Sequence, residues 1–131
     1  MAKHSQHPVL RILASVFATI FIGFGINAFV NPSSALSFFE FEYPNYGASK
    51  RIVDALLMVY GIRDVYMGIA IYAAVWKGEN KVTGWILVAA SLVAAADGYV
   101  CHLNGKGAMN HWSYMPFVCW TGTALVGVID S

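Results

Sequence analysis

From Ile12 to Val30 the chain carries no ionisable side chain. A helix needs roughly 20 apolar residues to cross the ~30 Å hydrocarbon core of a bilayer, and the segment from about 9 to 30 meets that length. Three later segments have the same character, at about 51–76, 82–103 and 110–130. Hydrophobic residues make up 58% of the chain and charged residues 11%, against about 25% charged in a soluble domain. The outer surface therefore cannot be mostly wetted, and mean hydropathy is +0.59. The expectation is an all-α fold, a transmembrane four-helix bundle, forming one integral membrane domain over residues 1–131. A water-soluble bundle would show polar stripes on its outer faces. From Trp85 to Ala96 the third segment offers only Ser91.

A signal peptide is the rival reading of the first segment, with Lys3 and Arg11 as its basic region. Its apolar run is too long, and Pro32-Ser33-Ser34-Ala35 is a poor cleavage site. The stretch from Asn31 to Lys50 sets Phe38, Phe39, Phe41, Tyr43 and Tyr46 around Glu40 and Glu42. That mixture suits the headgroup zone, where aromatic rings anchor. The connections Lys77–Lys81 and Asn104–Gly107 are short and polar, so successive helices run antiparallel. Four spans put Lys3, Arg11, Lys77 and Lys81 on one side, and Lys50, Arg51 and Lys106 on the other. The excess favours cytosolic termini, and an endoplasmic-reticulum membrane suits lipophilic metabolism. Pro116 falls near the first turn of the fourth segment or kinks it. Cys101 and Cys119 form no CxxC pair, and apolar packing is the expected role of both. Asn31-Pro32-Ser33 is excluded as a glycosylation site by its proline.

A charge inside a membrane costs roughly 2.5–3.5 kcal/mol on insertion scales and usually faces a partner in the bundle. Arg63 and Asp64 fall near the middle of the second segment. Adjacent helical residues point about 100° apart, so each can reach a different neighbour. Gly61 and Gly68 would let another helix approach closely. Asn27, Asp54, Asp97 and His111 belong to the membrane half that holds the aromatic loop, with Arg63 and Asp64 deeper. This suggests a polar pocket open toward that loop. Asp64, Asp97 and His111 are the candidate proton-transfer residues. Arg63, Asp54, Asn27, Tyr60, Tyr99 and Trp112 are candidate substrate contacts, and Tyr66 and Trp120 are further aromatic candidates. Low-dielectric surroundings push neighbouring acids apart and create a proton donor and acceptor at neutral pH. A plain alternative stands beside each. Arg63 with Asp64 or Asp97 would be a register-fixing ion pair, Asp54 a helix-dipole partner, Asn27 interhelical glue, and His111 or His102 an interfacial histidine.

The run Gly61-Ile62-Arg63-Asp64 through Gly68, with Asp97-Gly98 and His111, resembles small DoxX-like four-helix membrane proteins. It is closer to their fungal relatives classed as a domain of unknown function. The resemblance spans roughly Val9 to Val128. It implies a transmembrane bundle, and either accessory subunits of redox systems or secondary-metabolite enzymes. The reading that follows is a cofactor-independent membrane isomerase or cyclase. It would act by acid–base chemistry on a terpenoid, sterol or polyketide-like intermediate, with the aromatic loop as a lid. The alternatives are a non-catalytic subunit or scaffold and a proton-coupled transporter. Expected partners are a lipophilic small molecule, the lipid bilayer and a second copy of the chain. A net charge of +1 gives no reason to expect nucleic acid. His102, His111 and Asp97 fit no established ligand spacing, so neither metal nor cofactor is expected.

Overall fold

A computed structural model describes residues 3–130 as an all-α bundle, with no strand among the described residues. A short 3-10 turn at His4–Gln6 leads into α1 (Pro8–Val30). Proline at the first helical position suits an orphan N–H, and the His7 ring accepts the Val9 N–H. The short α2 (Pro32–Ser37) starts the same way, with Asn31 accepting the Ser34 N–H at 3.1 Å. Then follow α3 (Gly47–Trp76), α4 (Asn80–Leu103), α5 (Ala108–Trp112) and α6 (Met115–Val126). The fourth apolar segment is thus two helices. The break falls at Ser113-Tyr114, and Pro116 lies in the first turn of α6, where it lacks only a donor that would be unpaired anyway. Helix α6 stops at Gly127, whose φ of 98° suits a residue without a Cβ.

Two helices, α1 and α4, are long and apolar enough to cross a membrane. Helix α3 has 30 residues, roughly 45 Å at 1.5 Å per residue, longer than a hydrocarbon core. The helix is continuous, but its apolar run is interrupted by Arg63 and Asp64.

The helices associate as two close pairs, α1 with α3 and α4 with α6. The buried face of α1 is Leu10, Ala14, Ala18, Phe21, Gly25 and Ala28, a stripe at three- and four-residue steps. The facing stripe of α3 runs Leu57, Gly61, Asp64, Gly68 and Ile71. Small residues let the backbones touch. A Cβ at Gly25 would lie 2.5 Å from the Gly61 carbonyl oxygen, and one at Gly61 would lie 2.7 Å from that of Gly25. Gly84 of α4 and Gly122 of α6 make the equivalent approach, 2.5 Å and 2.8 Å. Leu10, Met67, Ile71, Leu87, Val118 and Leu125 fill the centre between the pairs.

The termini share one end of the bundle with the α3–α4 turn. Ser5 donates its N–H and hydroxyl to Asp130 at 2.9 and 2.5 Å, and Asn80 donates to the Ser5 carbonyl at 2.9 Å. At the other end the aromatic loop folds over α5, where Asn110 donates to the Phe38 carbonyl at 2.9 Å. The outer faces are apolar: Ile12, Ile62, Tyr66, Trp85, Leu92 and Phe117 are all exposed. Cys101 is buried, Cys119 half-buried, and both are free thiols.

Candidate functional site

The register of α3 decides the site. Asp64 lies on the buried stripe, three residues after Gly61 and four before Gly68, and its side chain is 3% exposed. Arg63, one residue away, is carried to the flank of α3 that faces α4 and is 36% exposed. On α4, Asp97 precedes the buried Gly98 and stands on the flank facing α3. Arg63 reaches across with a two-pronged contact, Nη2 to Oδ2 at 2.8 Å and Nη1 to Oδ1 at 3.2 Å. Such fork-on-fork pairs fix orientation as well as charge. The contacts of Arg63 with Asp64, from Nε and Nη2, are both 3.4 Å and contribute little. One carboxylate is clamped by the arginine, and the other is buried and hydrogen-bonded by Tyr60. Such inequality between paired acids separates a proton donor from an acceptor.

Tyr60 lies one turn before Arg63, its ring centre 4.6 Å from the guanidinium carbon, a cation–π arrangement. Tyr60 and Tyr114 lie within electrostatic reach of both carboxylates and of Arg63. Phe39 descends from the aromatic loop and sets its ring edge-on against Tyr60 at 5.4 Å and tilted at 47° against His111 at 4.7 Å. His111 is 1% exposed, and neither ring nitrogen has a hydrogen-bond partner among the described residues. An unpaired buried polar atom costs about 1–3 kcal/mol, so a folded chain keeps one only for a reason.

Two apolar recesses flank this cluster. A groove of about 370 Å³ between α3 and α4 is walled by Met67, Ala70, Ile86, Ala89 and Val93, with Arg63 and Tyr66 at its edge. A pocket of about 320 Å³ under the loop is walled by Leu36, Phe39, Phe41, Val53, Leu56, Leu57 and Tyr60. Both exceed the ~300 Å³ at which ligand sites begin.

The structure gathers Arg63, Asp64, Asp97 and Tyr60, with His111 behind Phe39. It does not bring the other sequence candidates to them. Asp54 is engaged by Lys50 Nζ at 2.6 Å and the Tyr43 hydroxyl at 2.5 Å, so it anchors the aromatic loop. Asn27 donates to Ser34 at 3.2 Å and ties α1 to α2. Trp112 donates to the Ala95 carbonyl at 3.2 Å and packs on Gly98, holding α5 against α4. His102 is exposed and rests against the Trp112 ring. Tyr99, Tyr66 and Trp120 are 56%, 70% and 56% exposed, on outer faces. Sequence reasoning missed Tyr114, whose only signal was a polar residue three positions after His111. It also gave Phe39 no role apart from the rest of the loop.

No curated protein and no solved structure matches the chain significantly. A family model described as a domain of unknown function, DUF4267, matches residues 18–125, from the middle of α1 almost to the end of α6. That match takes in Arg63, Asp64, Asp97 and His111 together, and the chain belongs to the DUF4267 family.

Proposed function

We propose that this chain is an integral membrane protein in which all four helical rods, α1, α3, α4 and α5–α6, cross the bilayer. The apolar outer faces support this, because so much exposed hydrocarbon is unfavourable in water and favourable in lipid. On this reading the termini face the cytosol and the membrane is that of the endoplasmic reticulum, following the distribution of lysine and arginine. The chain and its family stand close to DoxX-like membrane proteins, on the strength of Gly61, Arg63, Asp64, Gly68 and Asp97.

Within that frame the site is a cofactor-independent acid–base centre for a lipophilic substrate of terpenoid, sterol or polyketide type. The observation that carries this reading is the unequal treatment of two carboxylates. Asp97 is clamped by two bonds from Arg63, Asp64 has only longer contacts with Arg63 beside a hydrogen bond from Tyr60, and the α3–α4 groove ends at the arginine. Asp64 would remove a proton from an activated C–H and return it at another carbon. Arg63, held by Asp97, would stabilise the oxygen on which negative charge develops.

The test is solvent-proton exchange. The protein in vesicles is incubated in deuterated water with representative lipophilic alcohols, ketones and polyenes, and products are read by mass spectrometry. Deuterium is expected in one class, and is lost in Asp64→Asn and Asp97→Asn variants that still accumulate in the membrane. No incorporation in any class sinks the catalytic reading. The second reading, a non-catalytic subunit or scaffold, would then stand, favoured by the mutual satisfaction of Arg63 and Asp97.

A further inference from the structure

The recess under the aromatic loop has a wall with almost no polarity. Leu36, Phe41, Val53, Leu56 and Leu57 line it, and none of them is charged. Its inner end is closed by Phe39 and Tyr60. Immediately behind the Phe39 ring is His111, fully buried, with both nitrogens unpartnered. Hydrocarbon space thus lies on one side of a single aromatic ring, and an unused donor–acceptor group on the other.

We infer that this recess seats a neutral lipophilic molecule drawn from the bilayer, with one hydroxyl or carbonyl hydrogen-bonded to His111 and Phe39 as the gate between them. The wall excludes a charged headgroup, since no counter-charge lines it. A neutral imidazole offers one donor and one acceptor on different edges of its ring, so one hydroxyl or carbonyl pairs one of the two nitrogens. A plain hydrocarbon would leave both nitrogens unpaired.

The gate is built to be held and released. Phe39 is followed by Glu40, a non-glycine residue in the left-handed region at φ 56°. The Phe39 carbonyl abuts Gly107, where a Cβ would collide with it. The loop is pinned by the Asn110–Phe38 bond and by Tyr43 on Asp54. A rotation of Phe39 opens the recess to His111 and brings a ligand's polar end toward Arg63 and Asp97, both within electrostatic reach of that histidine. The inference deepens the reading of the site as a lipophile centre by naming the seat and its ligand class. It does not depend on catalysis.

The experiment uses the full chain in phosphatidylcholine vesicles and a photoactivatable diazirine analogue of hexadecanol, with labelled peptides mapped by mass spectrometry. Saturable labelling is expected at residues 36–41 and 53–57. Unlabelled hexadecanol should compete about tenfold better than hexadecane, the worth of one hydrogen bond. His111→Phe should abolish that preference, and His111→Gln should retain part of it. Leu56→Trp, which crowds the recess at its exposed rim without touching the histidine, should remove saturable labelling. Labelling spread evenly over the helices, or surviving Leu56→Trp, overturns the proposal, as does an alcohol preference intact in His111→Phe. Labelling is read without turnover, so the two readings separate. Labelling with no deuterium exchange leaves the seat and removes the catalysis; exchange with no labelling here does the reverse.

Discussion

At the scale of single residues, the Arg63–Asp97 pair is the most consequential polar contact. Its two bonds join α3 to α4, which otherwise touch less closely than the members of each glycine-packed pair. Asp97→Asn should lower unfolding stability by about 1–3 kcal/mol, between the exposed and buried ranges because Arg63 is 36% exposed. Arg63→Met with Asp97→Leu and Asp64→Asn should recover most of that loss, since the buried Asp64, which also contacts Arg63, is then not left as an unpaired charge. Denaturant unfolding in mixed micelles measures both; a triple variant as weak as the single one would assign the effect to packing. A second expectation concerns Asp130, beyond the end of α6. The Ser5 hydroxyl and N–H, both donated to Asp130, hold its carboxyl below the ordinary value of 3.8. A depressed folded-state pKa gives stability that is present above about pH 3.8 and lost as pH falls through the lower folded value. Protection of the Ser5 amide from hydrogen exchange should therefore fall off below pH 4, beyond the intrinsic rate change. Asp130→Asn should flatten that profile. The sequence reading gave Asp54 to the helix dipole or to substrate, and the extension of α3 back to Gly47 is what makes Lys50 its i,i+4 partner; the Ser5–Asp130 contact spans nearly the whole chain and has no local signal.

At the scale of helices, the glycines govern how close the rods come. In the proposed bilayer setting, lipid removes the hydrophobic drive between helices and leaves van der Waals packing and polar contacts, so a methyl group at the crossing counts. Gly61→Ala should cost about 1–3 kcal/mol, as overpacking does, because the Cβ would sit 2.7 Å from the Gly25 carbonyl oxygen. Gly23→Ala is the control. Nothing lies within 4 Å of a Cβ there, so the better helix former should be neutral or slightly stabilising. Equal losses at both positions would mean that helix propensity, not the crossing, is being measured. The spacing of Gly61 and Gly68 announced a close approach; that Gly25 was the partner did not follow from spacing. The division of the last segment into α5 and α6 was half visible in Pro116. The Trp112 and His111 contacts that fix the angle of α5 were not.

At the scale of the whole molecule, the ends of the bundle differ. One holds the termini and the Lys77–Lys81 turn, and the other the aromatic loop and the Asn104–Gly107 turn. In sealed vesicles, Lys77→Cys and Gly105→Cys reporters in a Cys101→Ala/Cys119→Ala background should react with an impermeant maleimide from opposite sides. Labelling of both from one side would remove the four-span reading. The sequence by itself determined that the chain is helical and roughly where its apolar segments lie, and it singled out Arg63, Asp64 and Asp97 as the charges set within them. These follow from local quantities, namely segment length, hydropathy and the price of a charge in hydrocarbon. Only the tertiary structure decided which carboxylate Arg63 grips, that Asp54 is diverted to the loop, that Tyr99 faces outward, and that His111 is sealed unpaired behind Phe39. Those outcomes depend on the rotation of each helix about its axis. That rotation is set by which glycine meets which backbone across the bundle, and hydropathy along one strand of sequence does not encode it.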